Sequence, residues 1–286
     1  MTDAPGIAFT KMSGSGNDFV VVDDRAAVLP ADLSAFARGV CRRGHSLGAD
    51  GVVVLDTPAG LAPGVEFRWT YLNADGSAGE MCGNGAMCGA RLAVLRGIAP
   101  ARCRFQTPSG IVVAEVDPGS ERVAIAIPDV ARPAEPVTLA TEVGPLALHP
   151  VTVGVPHAVV FVDDADAVAD AATFDRVGRA IRHAPAFPAG VNVDVVSPAG
   201  ADRWRMRTYE RGVEAETLAC GTGAVASAIV AAGLGLCHSP IDIVTSGGPT
   251  LTVTFDAGAD GSAHSVRLRG TATIIAEGVL LPAAWV

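Results

Sequence analysis

Apolar and polar residues alternate at every second position in several short stretches of the chain. Val123, Ile125 and Ile127 do so in RVAIAIP, and Trp204, Met206 and Thr208 in RWRMRT. The pattern returns in LTVTF (251–255) and VRLRG (266–270). Successive side chains of a strand point to opposite faces, so this period predicts half-buried β-strands. TPAGLAPG (57–64), SPAGAD (197–202) and DAGADGS (256–262) are rich in turn formers and read as hairpin loops. ARPAEP (131–136) is the candidate linker near mid-chain.

Helical periods are fewer. ADLSAFARGVCRR (31–43) places Leu33, Phe36, Ala37 and Val40 on one face, and DADAVADAATFDRVGRAIRH (164–183) follows the same pattern. GAMCGARLAVLRG (85–97) and GAVASAIVAAGLG (223–235) are apolar on nearly every side. A helix without a polar face is expected inside its domain.

Composition narrows the function classes. A length of 286 residues suggests two domains, and 49% apolar against 18% charged residues suits packed cores rather than disorder. A net charge of −9 with no basic stretch argues against nucleic acid. No apolar run reaches the roughly 18–20 residues of a membrane span. MTDAPGIAFTKM lacks the basic start and apolar stretch of a signal peptide, so a cytoplasmic protein with reduced thiols is expected. Among six cysteines there is no C-x2-C pair, and Cys82 and Cys88 have no histidine nearby, so no metal is expected. Lys11 is the only lysine, which disfavours pyridoxal phosphate held as a Schiff base; no cofactor is expected.

The two apolar helices share an introduction. MCGNGA (81–86) precedes one and ACGTGA (219–224) the other, about half the chain apart. A repeat on this scale suggests two similar domains, each with one central helix opening at its cysteine. A helix N-terminus offers unpaired N–H groups and partial positive charge, which bind a carboxylate and stabilise a thiolate. Glycines let the backbone approach an anion closely. Two such ends facing one α-carbon supply a thiolate base on one side and a thiol acid on the other. Cys41, Cys88, Cys103 and Cys237 lack this setting and read as small apolar fillers. GTGAVA (221–226) also fits a dinucleotide fingerprint, but it follows the charged YERGVEAETLAC rather than a buried strand.

With these residues in view, the chain resembles the diaminopimelate epimerase family over nearly its whole length. FTKMSGSGNDFVVVD (9–23), GADGVVVL (48–55), YLNADGSAGEMCGNGAMC (71–88), PH (156–157), FPAGVNVDVV (187–196) and YERGVEAETLACGTGA (209–224) follow in family order. The resemblance implies an α+β fold of two pseudo-symmetric domains, each a curved, mostly antiparallel sheet around a buried central helix, with the active site in the cleft between them. The expected domains are 1–132, completed by the last strand around 273–286, and 133–272. The implied reaction is cofactor-independent interconversion of LL- and meso-diaminopimelate, serving lysine and cell-wall precursor synthesis. Cys82 and Cys220 match the acid–base cysteines. Asn17, Asn73 and Asn192 match asparagines that hold the substrate, Glu210 and Arg211 the acidic and basic pair at the site, and His157 the histidine beside it. Gly83, Asn84, Gly221 and Thr222 match the turns whose N–H groups bind the α-carboxylate. Taken singly, a Gly-Asn-Asp turn, a histidine before a strand or a surface ion pair carries little; their order along the chain carries the resemblance. The expected partners are a small amino-acid substrate and a second copy of the chain as a homodimer, with neither nucleic acid nor membrane.

Three departures bear on substrate. Val155 stands in GVPH where the family has an asparagine, Met87 replaces an arginine, and ERGVEAET is one residue longer than usual, which would shift Glu214 or Glu216 towards the site. A two-cysteine racemase of histidine or a proline derivative is therefore the alternative. A binding protein that keeps the fold without turnover is a third, disfavoured by retention of both cysteines.

Overall fold

The structure is a computed structural model and describes residues 6–163 and 171–285. The chain divides into two compact units, Met1–Ile125 with Gly270–Val286, and Ala126–Arg269. The ARPAEP stretch belongs to the second, where the Ala134 N–H donates to the Pro150 carbonyl at 2.9 Å.

In the first unit β1 (Ile7–Gly14) runs antiparallel to β2 (Asn17–Asp23). Helix α1 (Leu33–Cys41) then crosses to β3 (Gly51–Asp56), which is parallel to β2. β4 (Phe67–Asn73) pairs antiparallel with β3 and with the two-residue β5 (Ala78–Gly79). After α2 (Gly83–Leu95) comes β6 (Arg102–Thr107), parallel to β4, and the meander of β7 (Gly110–Val116) and β8 (Arg122–Ala126).

The second unit repeats this order. β9 (Val137–Thr141) and β10 (Gly144–Val153) lead into β11 (Val155–Phe161), α3 (Ala171–Arg182) and β12 (Asn192–Gly200), with β12 parallel to β11. β13 (Arg203–Glu210), the short β14 (Ala215–Thr217), α4 (Gly221–Gly233), β15 (Ile241–Thr245), β16 (Thr250–Ala257) and β17 (Ala263–Leu280) follow. The pairings correspond: β13 is antiparallel to β12 and parallel to β15, as β4 is to β3 and β6. The place that β9 takes beside β10 is taken beside β1 by residues 272–280 of β17, so the end of the chain completes the first unit.

Helix α2 packs on β1, β2, β3, β4 and β7, and α4 on β10 to β13, β15 and β16. One helix touches strands so far apart in a sheet only if the sheet curls around it. Strands β2 and β3 are covered on both faces, which is why FVVV and GVVVL are continuously apolar rather than alternating. Val20, Val22, Val52 and Val54 meet Phe36, Ala37 and Val40 of α1, while Val53 faces Gly85 of α2. Close approach needs a bare backbone: a Cβ on Gly89 would lie 2.7 Å from the Trp69 ring.

Both central helices start two residues before the apolar period suggests, at Gly83 and Gly221. Gly-x-Gly reads as a turn, but here it forms the first helical turn, which makes Cys82 and Cys220 the N-caps. SPAGAD is less of a loop than its composition implies, since β12 continues to Gly200. Residues 164–170 of the third helical stretch lie outside the described residues. Among the described residues no helix is long and apolar enough to cross a membrane.

Candidate active site

In the second unit, strand register gathers the polar residues. His157 on β11 is the partner of Asn192 on β12, and Asp194 on β12 is the partner of Thr208 on β13. The period of two puts Asn192 and Asp194 on one face, with Thr208 and Glu210 beside them on β13. The intervening Val193, Val195 and Tyr209 point the other way, onto Phe174, Val177 and Ile181 of α3. The polar face meets the N-terminus of α4.

There the Cys220 Sγ accepts the Gly223 N–H at 3.4 Å and lies 3.5 Å from the Thr222 hydroxyl. His157 Nε2 is 3.0 Å from that hydroxyl, and Nδ1 is 2.7 Å from Asp194 Oδ2. Thr208 donates to Asp194 Oδ1 at 2.7 Å, and Asn192 Nδ2 lies 3.5 Å from His157 Nε2. His157 and Asp194 are both fully buried. The helix terminus alone would lower the Cys220 pKa, but burial outweighs it and pushes the thiol strongly up. Glu210 and Asp194 raise it further, against Thr222 and the Gly223 N–H. Burial also raises Glu210, with Asp194 adding to it and a Thr217 hydrogen bond and His157 opposing.

The loop after β13 is tied down at several points. Asn192 Oδ1 accepts the Arg211 N–H at 2.7 Å, and the Arg211 guanidinium donates to the Ala189 carbonyl at 3.2 Å. The extra residue of ERGVEAET does not bring a glutamate to the thiol. Glu214, in left-handed backbone at φ 59°, accepts from Arg182 at 3.1 Å and the Gly212 N–H at 3.1 Å. Glu216 accepts from Arg207 at 2.6 and 2.8 Å.

In the first unit, Cys82 caps α2 in the same extended conformation (φ −142°, ψ 110°) as Cys220 caps α4 (φ −126°, ψ 110°). Cys82 is half-buried. Asn84 donates to Asn17 Oδ1 at 2.7 Å, and Asn17 donates to Asp50 at 3.1 Å. The Asn17 side chain is thus engaged in positioning Asn84, whose own Oδ1 is buried without a partner among the described residues. The Asn73 amide donates to Ser77 Oγ at 2.9 Å across the turn between β4 and β5. Burial pushes Asp18, beside Asn17, upward, but hydrogen bonds from Arg43 and Lys11 outweigh this and hold it below the usual carboxylate range. Lys11, the single lysine, also donates to the Gly48 carbonyl. Met87 is fully buried, and Arg91, one turn on, donates to the Ala272 carbonyl at 2.7 Å.

Asp194, Thr208 and Asp50 were not among the candidates from sequence. The signal for Asp194 was available: a second polar residue two positions after Asn192 inside the apolar run VNVDVV. Among the described residues no group of three or more His, Cys, Asp or Glu is placed to hold a metal ion.

The fold is shared with several solved structures, among them a probable proline racemase and a hydroxyproline epimerase. A hydroxyproline epimerase from Agrobacterium vitis with bound trans-4-OH-L-proline superposes with TM-score 0.68 at 18% identity, covering 98% of this chain and 94% of that one. A phenazine biosynthesis protein of the PhzF family from Bacillus anthracis gives 0.70 at 13%, covering 98% and 100%. These identities speak for fold alone. Sequence goes further: residues 9–129 and 150–274 match the family described as diaminopimelate epimerase. Relatives of that name are 41% identical over 256 residues in Aquifex aeolicus (86% of this chain, 89% of the relative) and 40% over 280 residues in Hydrogenobaculum sp. (95% and 97%). The chain belongs to the diaminopimelate epimerase family, a family of isomerases.

Proposed function

We propose that this chain interconverts LL- and meso-diaminopimelate by moving the α-proton between Cys82 and Cys220, without a cofactor. The observation that carries this is the pair of cysteines capping the same helix of two topologically equal units. Inversion needs proton removal from one side of the α-carbon and delivery from the other. One thiolate takes the proton while the other thiol gives one up, and the roles exchange in the reverse direction. As the Cα–H bond breaks, its electron pair spreads into the α-carboxylate. The N–H groups at Gly83 and Asn84, and at Gly221 and Thr222, lie in first helical turns and have no partner within the helix. They are placed to hold a carboxylate as its charge grows.

Asn192, Glu210 and Arg211 are proposed to bind the amino-acid groups of the substrate, with Asn17 and Asn73 acting through Asn84 and the 73–77 turn. Function in lysine and cell-wall precursor synthesis, a cytoplasmic location and a homodimer belong to the same proposal. Val155 favours a second reading, a related racemase of histidine or a proline derivative, because it removes an amide from the substrate's surroundings. Following α-proton exchange by NMR in heavy water against a panel of amino acids separates the two. Diaminopimelate should exchange fastest; faster exchange of histidine or a proline derivative would sink the first reading and leave the two-thiol chemistry.

A further inference from the structure

The two units close one turn in different ways. In the first, β4 runs into β5 through Asn73–Ser77, and the residue before Ser77 is Gly76, in left-handed backbone at φ 83°. In the second, β13 runs into β14 through Glu210–Ala215, and the residue before Ala215 is Glu214, at φ 59°. The second turn is one residue longer. Its left-handed position carries a side chain where the first has none, although glycine takes that conformation at lower steric cost. The side chain is engaged at both oxygens. One accepts from the Gly212 N–H and from Arg182 Nε, each at 3.1 Å, and the other lies 3.2 Å from His183 Nε2. The backbone is engaged as well: the Glu214 N–H donates to the Glu210 carbonyl at 2.8 Å, and the Tyr209 hydroxyl donates to the Glu214 carbonyl at 2.8 Å. The Gly212 N–H, with Arg182 and His183, holds the Glu214 carboxyl below its ordinary range against desolvation. Arg182 also lies against the 187–190 turn, where a Cβ on Gly190 would strike its guanidinium.

We propose that Glu214 is a positioning residue for Arg211: with Arg182 it clamps the two segments that hold the arginine, and so fixes it for substrate binding. This rests on Arg211 binding an amino-acid group of the substrate. Arg211 has two anchors. Its N–H donates to Asn192 Oδ1 at 2.7 Å, and its guanidinium donates to the Ala189 carbonyl at 3.2 Å. The first anchor depends on the course of the 211–214 turn, which Glu214 fixes at Glu210, at Gly212 and through Tyr209. The second depends on the 187–190 turn, which Arg182 abuts. Arg182 and Glu214 together therefore join both. The first unit holds its turn by another route: the Ser34 hydroxyl of α1 donates to the Gly76 carbonyl at 2.8 Å, and a Cβ on Gly76 would lie 2.5 Å from the Ser34 carbonyl oxygen. Close backbone approach fixes that turn, whereas α3 reaches the second turn through a side-chain pair. A partly exposed ion pair adds little stability, so stability does not account for a glutamate in left-handed backbone. Holding Arg211 does.

The test pairs two readings of the full chain: tryptic cleavage of the Arg211–Gly212 bond, followed by peptide mass spectrometry, and the kinetics of diaminopimelate epimerisation. Glu214→Gly suits the backbone and removes the clamp. Cleavage after Arg211 should quicken by about tenfold or more, because a turn that loses charged hydrogen bonds opens more often. KM should rise by about the same factor while kcat stays within about twofold, the mark of lost binding rather than lost chemistry. Glu214→Gln keeps an acceptor for Gly212 and Arg182 and should lie near wild type in both readings. Were Glu214 only a turn residue, glycine would serve as well there, so unchanged cleavage or an unchanged KM in Glu214→Gly overturns the proposal. Arg182→Met removes the charged fork and leaves position 214 alone. It should move both readings in the same direction, which the flexibility of a new glycine cannot imitate, and readings that stay put overturn the idea even if Glu214→Gly fails to fold. Cleavage needs no turnover, so a wild-type chain inert towards diaminopimelate would sink the proposed function while cleavage still reads the clamp.

Discussion

Gly223 and Asp194 are in direct apposition: a Cβ on the glycine would lie 3.1 Å from the carboxylate carbon and closer still to Oδ1. The carboxylate cannot retreat, because Thr208 and His157 hold its two oxygens at 2.7 Å each. Gly223→Ala should therefore destabilise the protein by about 1–3 kcal/mol through overpacking. The equivalent Gly85→Ala meets Val53, Phe19 and Trp69 at 3.4–3.5 Å, which is ordinary contact, and should be neutral or stabilising by up to about 1 kcal/mol. Urea unfolding of the two variants checks the contrast, and equal losses would contradict it.

Catalysis should depend on two of the six thiols. Cys82→Ala or Cys220→Ala should lower turnover by at least about 10²-fold, the usual scale for loss of an acid–base group. Cys41 and Cys103 are fillers by place: Cys41 ends α1 and Cys103 lies within β6, so neither caps a central helix. Cys41→Ala, Cys103→Ala and Cys237→Ala should leave kcat near wild type. Near-normal racemisation by either of the first two variants would end the two-thiol mechanism.

Much of this arrangement was legible in the chain, and the gaps have physical causes. The CGNG and CGTG repeats placed two helices and two thiols correctly to within two residues. The error at the helix starts arose because glycine in a first turn looks the same as glycine in a loop. The parallel pairings of β2 with β3 and of β11 with β12 join strands separated by a helix, and no local period encodes them. An aspartate within VNVDVV is compatible with either face of a strand, so the sequence alone does not single out Asp194. Its burial follows only from register, which turns it towards α4. The extra residue after Glu210 is absorbed by a left-handed Glu214 anchored on Arg182, a distant partner that spacing alone does not reveal.

Glu210 should cost the fold stability when it ionises. Its pKa is raised above the ordinary carboxylate value, chiefly by burial, so the folded state binds this proton more tightly than the unfolded state does. Stability therefore falls as pH rises from the unfolded value, about 4.3, towards the folded value. Below that window wild type and Glu210→Gln should be alike, and above it Glu210→Gln should be the more stable. Denaturation at pH 4 and pH 8 reads the difference; a wild type that gains on the variant as pH rises would show that Glu210 is stabilised as the anion.

Substrate discrimination should respond to Val155. It is the first residue of β11, half-buried, and is joined to its antiparallel partner Val153 through Gly154, whose φ of 69° only glycine adopts readily. Two residues on, His157 enters the buried network beside Cys220, and the half-buried Val155 forms no part of that network. Valine offers no hydrogen bond. An amide adds a donor and an acceptor at nearly the same size, and one hydrogen bond contributes about 0.5–1.5 kcal/mol. Val155→Asn should therefore lower KM for diaminopimelate by up to about tenfold, or leave it unchanged, with kcat little altered because the proton-transfer groups are untouched. Amino acids that lack the distal head group should gain nothing. A raised KM for diaminopimelate, or equal gains for histidine and diaminopimelate, would show that position 155 does not meet the distal group.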